Sequence, residues 1–193
     1  MATSPVQIVN SGLILIGAEP ITSLSDTSKA AKIANRMYDL LRKEVLLSHP
    51  WNFAVARKEL SATVNTPEYD YAYEYTLPSD VLRVLDTNLP IGEPWEIGLN
   101  PVTGDKVLMT DSSSVKIKYI KDLTDTTLFT PTFEQALAAR MAAHFAYSLV
   151  QSASLQQNMY AFYKDLLSSA RSFDAQEMSN QELEVNEWID VRS

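Results

Sequence analysis

Residues 48–54 read SHPWNFA, and this stretch divides the chain into two grammars. Before it, apolar residues recur every three or four positions; after it, they alternate every second position between breaks at Pro, Gly, Asp and Asn. The first period belongs to helices with one buried face, the second to half-buried strands. Pro50 lacks an amide donor and cannot continue a helix, so it stops the upstream one. Trp51 and Phe53 place two large aromatic rings at the point of change, suited to pinning a sheet against a helical body. The expectation is an α+β protein: an antiparallel bundle of about four helices, a small antiparallel β-rich insertion and an extended C-terminal tail.

Upstream of the stretch, Ala30, Ile33, Met37, Leu40, Leu41 and Val45 supply the stripe of a helix over about 26–48, capped by Ser25 or Asp26. Lys29, Lys32, Arg36, Asp39 and Lys43 lie largely off that stripe. Ser4 before Pro5 reads as a cap followed by the proline favoured in a first turn, and Val6, Val9, Leu13 and Ile16 mark a helix over about 5–16. Gly17 closes it, Gly12 is a packing glycine, and Pro20 makes the following AEPITSLS a turn.

Downstream, strands are predicted at 54–60, 71–77, 81–86, 95–99, 106–110 and 115–121, within a β-rich insertion of about 53–121. In the last of them Val115, Ile117 and Tyr119 share one face and Lys116 and Lys118 the other. PVTGD at 101–105 and TDSSS at 110–114 read as hairpin turns. Tyr69, Tyr71, Tyr73 and Tyr75 alternate so as to set four phenols on one strand face, a pattern of core or subunit-contact packing.

Thr130 and Pro131 repeat the cap-then-proline start for a third helix over 131–150, carrying Ala136, Leu137, Met141, Phe145, Leu149 and Val150. A fourth follows over 153–173 with the stripe Leu155, Met159, Phe162, Leu166, Ala170 and Phe173. Residues 1–175 form a single domain, and 176–193 an acidic tail. From Asp174 on there are six carboxylates against Arg192 alone. Leu183, Val185, Trp188 and Ile189 are more apolar surface than a solvated tail needs, which makes them candidate partner-binding residues.

Composition narrows the function. The chain of 193 residues has no cysteine and two histidines, His49 and His144, without ligand-type neighbours in sequence, so no metal or nucleophile–base site is expected. Its five glycines, at 12, 17, 92, 98 and 104, write no phosphate loop, and no cofactor is expected. A formal charge of −8 disfavours clustered phosphate contacts, so DNA would pass such a surface without being held. Asp70 and Glu74, beside the tyrosines, are the carboxylate pair nearest to a glycan-hydrolase arrangement. The N-terminal stretch carries no basic, apolar and cleavage-site order of a leader, and no run of 18 apolar residues occurs. A cytoplasm-like compartment and no membrane contact are expected.

Several stretches together carry a resemblance: LILIGAEPITSLSD, then a helix with Arg36, Tyr38, Asp39 and Arg42, then SHPWNFA, then YEYTLPSDVLRVLD. Over residues 6 to about 175 the chain resembles the tail tubular protein A family of short-tailed bacteriophages, the adaptors or head-to-tail connectors. The resemblance implies a virion structural protein without enzymatic activity, assembled as a dodecameric ring between the portal protein and the tail nozzle protein. It also implies that the C-terminal part reaches toward the portal and that His49, Pro50, Trp51, Asn52 and Phe53 are a structural signature. A tail-borne carboxylate glycan hydrolase and a head-completion protein of a long-tailed phage are the alternatives.

Overall fold

A computed structural model describes residues 4–63, 67 and 69–177 of the chain. Over these it is an α+β protein with helices α1 (Pro5–Leu15), α2 (Lys29–Leu47), α3 (Pro131–Val150) and α4 (Ala153–Gln176). Strands β1 (Val55–Leu60), β2 (Tyr73–Thr76), β3 (Val81–Thr87), β4 (Trp95–Leu99), β5 (Lys106–Thr110) and β6 (Val115–Lys121) fill the middle. The anticipated partner residues Leu183, Val185, Trp188 and Ile189 lie outside the described residues.

α3 is the axis of the bundle. It is apolar nearly all round, and alanines at 136, 138, 139, 142, 143 and 146 are buried, which lets neighbouring helices approach closely. α1, α2 and α4 all pack on it. Ser4 caps α1 with Gln7 answering in a capping box. At the other end Gly17, at φ 70°, lets the amides of Gly17 and Ala18 return to the carbonyls of Ile14 and Leu13.

Two expected helix stripes are corrected in part: Ala30, Ile33, Met37, Leu41 and Val45 of α2 and Leu155, Met159, Leu166 and Ala170 of α4 do pack in or against the core, while Leu40, Phe162 and Phe173 do not. α2 starts at Lys29 with Ser28 as its cap, because the Asp26 carboxylate already accepts from the amides of Thr22 and Ser23 and the Thr22 hydroxyl. Its buried row is Ala31, Ala34, Tyr38, Leu41, Arg42, Val45 and Leu46, so Leu40 faces solvent. On α4 the buried row is Tyr163, Leu167, Ala170 and Asp174; Phe162 and Phe173 are exposed, and the helix runs three residues past the anticipated end.

The insertion holds two three-stranded antiparallel sheets, ordered β1-β6-β3 and β2-β5-β4, in place of one. Their facing sides share a small core of Leu60, Tyr75, Leu77, Leu108, Val115, Ile117 and Tyr119. The turn at 101–105 is a hairpin joining β4 to β5. TDSSS is a crossing from one sheet to the other, since β5 pairs with β2 and β4 while β6 pairs with β1 and β3. Period two announces a strand and is silent about its partner. The tyrosine row is also corrected: Asp70 sits at φ 69° and breaks the strand, which starts at Tyr73. Tyr75 is buried with its hydroxyl donating to Ser112 O at 2.8 Å, Tyr73 is partly exposed and Tyr69 is 76% exposed.

Candidate functional site

The SHPWNFA turn is held from both sides. Trp51 is fully buried, and its indole Nε1 donates to Val45 O at 3.0 Å, joining the Ser48 amide and hydroxyl on that carbonyl at the end of α2. Its ring meets Phe133 edge-on at 5.2 Å and stacks on Phe53 at 6.0 Å, while Phe129 packs 4.8 Å from Phe133. The aromatic cluster therefore joins the root of β1 to the first turn of α3, as the sequence leads one to expect of Trp51 and Phe53.

The other side comes from Asp174, which the sequence leaves just beyond the expected end of the fourth helix at 173. It is buried on α4, and its carboxylate accepts from the Asn52 amide at 3.0 Å and lies 3.0 Å from His49 Nε2. Asn52 Nδ2 donates to Asp174 O at 2.7 Å, and one turn earlier Arg171 Nη2 donates to Ser48 O at 2.6 Å. His49 and Asn52 are thus clamp residues for the end of α4, and Pro50 shapes the turn between them. The available signal was spacing: 163, 167, 170 and 174 form one helical row.

Arg42, which the resemblance includes without giving it a role, is 1% exposed. Its Nη1 donates to Asp122 Oδ1 and to Leu123 O, both at 2.6 Å, tying α2 to the chain leaving β6. Burial works against the charged form of Asp122, but hydrogen bonds from Lys43 and Arg42 outweigh it and hold the carboxyl below its ordinary value. Burial likewise raises the Tyr38 phenol to about 12. On α3, Arg140 forms a two-pronged pair with Glu44 at 2.8 and 2.9 Å and lies over the rings of Tyr160 and Tyr163. His144, half-buried nearby, is lowered by burial and then by the Arg140 charge.

Asp70 and Glu74 do line one shallow cleft, of about 280 Å³, with Glu96, Tyr69 and Tyr71. Glu74 is buried and its carboxylate accepts from Asn100 Nδ2 at 2.7 Å, while Asp70 is exposed. Among the described residues no cluster of three or more His, Asp or Glu is placed to hold a metal, and no helix is long and apolar enough to cross a membrane.

Exposed apolar surface gathers in two places instead. Between α1, α3 and α4 an open groove of about 420 Å³ is lined by Ile8, Ile14, Leu15, Ala138, Phe162 and Leu166; Ile14 is 65% exposed. In the sheets, Trp95, Ile97 and Leu99 of β4 are exposed beside a hollow reaching Val81 and Val84 of β3. No protein-family model and no curated protein matches this chain.

Proposed function

We propose that this chain is a structural subunit of a bacteriophage tail, an adaptor that assembles as a ring between the portal protein and the tail nozzle and lets genomic DNA pass without binding it. The observation that carries the reading is the pair of unlike apolar faces, the α1/α3/α4 groove on the bundle and the β4 surface on the sheets. A ring built by rotation needs two different complementary patches on each copy, and contiguous exposed apolar surface is a mark of contact sites. The signature residues are in keeping with it, since His49, Trp51 and Asn52 each make a hydrogen bond that holds the turn. Assembly then takes place in the host cytoplasm and the product resides in the virion.

The test is electron microscopy and sedimentation of the full chain, alone and with the portal protein of the same phage. Rings with portal present, lost on Ile14→Asp with Phe162→Asp, are the expected result; a monomer indifferent to portal overturns the proposal. The Asp70, Glu74 and Glu96 cleft gives the glycan-hydrolase reading its one specific observation. Turnover of peptidoglycan or capsule that vanishes on Glu74→Gln and on Asp70→Ala would replace the first reading with the second.

A further inference from the structure

Trp95, Ile97 and Leu99 stand on the side of β4 that faces the other sheet, since the register sets them opposite Thr110, Leu108 and Lys106, and Leu108 is buried between the sheets. The row is nonetheless open, with Leu99 64% exposed. Topology is the cause. On one flank the chain leaving β1 ties the sheets together, through the bridge of Ala62 to Tyr75 and the Thr63 amide donating to Glu74 O at 2.8 Å. On the other flank no strand pairing joins β3 to β4 among the described residues, and a hollow of about 350 Å³ lies in the seam.

The seam is cationic in an acidic protein. Arg83 and Lys106 line it and no carboxylate does. Neither cation forms an ion pair with another described residue.

The bundle carries the counterpart. The α1/α3/α4 groove is apolar, and the one charged residue lining it is Glu134, which likewise has no ion pair among the described residues. Its α1 wall runs from Ile8 to Leu15, about 10 Å at the rise of a helix. Side chains in one row of a strand are about 7 Å apart, so the groove has room for two of them. Leu99 and Ile97 are the neighbours at the Lys106 end of β4.

We propose that β4 of one copy seats in the α1/α3/α4 groove of the next, with Ile97 and Leu99 entering the groove and Lys106 pairing with Glu134. The inference rests on the ring reading and names which face meets which. Charge selects a second copy in this crossed arrangement. β4 against β4 would set cations against cations, and groove against groove would set Glu134 against Glu134; only the crossed contact brings opposite charges together. It is also heterologous, so each copy keeps one face free for a further neighbour.

The chain has no cysteine, so introduced ones report the contact directly. Full-length Leu99→Cys and Ile14→Cys proteins, mixed under ring-forming conditions and treated with a short bismaleimide, should link to each other, and neither should link to itself. With both substitutions in one chain, a ladder of linked copies should extend past the dimer. Lys106→Glu should lower the linkage at least about tenfold, and Glu134→Lys in the same chain should restore it, which separates a lost contact from a lost fold. Rings that form without linkage between the two positions overturn this contact and leave the ring reading standing. Linkage of the Leu99→Cys protein to itself overturns it in favour of a face-to-face pair. A chain that neither assembles nor links, with portal or without, overturns both.

Discussion

Asp174 shows how one side chain fixes a junction. Removing its carboxylate strips an acceptor from the Asn52 amide and from His49 in a site where water does not replace it. Asp174→Ala is expected to cost about 2–3 kcal/mol in urea unfolding. Trp51→Ala removes the ring packed on Phe53 and Phe133 and its indole hydrogen bond to Val45 O, and should cost about 3–5 kcal/mol by the same measurement. A loss near zero in either would mean that the turn is held by something else. The sequence made Trp51 readable because a large aromatic after a helix-stopping proline has few places to go. Asp174 was unreadable because a carboxylate is assigned to solvent by default, and only a partner more than a hundred residues away makes it a buried group.

At the scale of elements, the same default shifts two helix faces by part of a turn: Ala30, Ile33 and Met37 on α2 and Leu155, Met159 and Leu166 on α4 pack at the edge of the core and not at its centre. The row 31, 34, 38, 41, 42, 45 on α2 is as regular as 30, 33, 37, 40, 41, 45, and the Arg42 within it gives it the look of a solvated face. Strands were legible nearly to the residue, β4, β5 and β6 in full, because alternation and turn residues are local; the division into two sheets was not, because pairing is a long-range property. Gly12 was legible in kind, and the geometry makes it quantitative. A methyl group there would stand 2.8 Å from the Ala138 carbonyl oxygen, a backbone atom of α3 that has little room to move. In an isolated helix Gly→Ala gains about 1 kcal/mol. Here the α1/α3 crossing must open, so Gly12→Ala should instead destabilise by about 1–3 kcal/mol, seen as a lower urea midpoint. A stabilised Gly12→Ala protein would show that the crossing is looser than its geometry.

Across the whole molecule, polar ties bind the sheets to the bundle at both ends: Arg42–Asp122 where the chain returns from β6, and the Asp174 clamp where it departs toward β1. Proton binding reaches the first of these in a defined order. His144 has its pKa lowered, so the folded protein resists a proton that the unfolded chain accepts; stability falls as pH drops below about 6.5, the ordinary imidazole value, toward the lowered one. Asp122 is also lowered, so its contribution is whole above about 3.9 and is lost as pH falls through its depressed folded value. Urea unfolding of the intact chain should therefore weaken in two stages on acidification. His144→Gln should remove the upper stage alone. Asp122→Asn should be weaker already at neutral pH, because it leaves the Arg42 guanidinium buried against a neutral partner, and flatter below about pH 4 than the parent. If the parent and Asp122→Asn curves stay parallel through that lower window, the Arg42–Asp122 tie is not what acid releases.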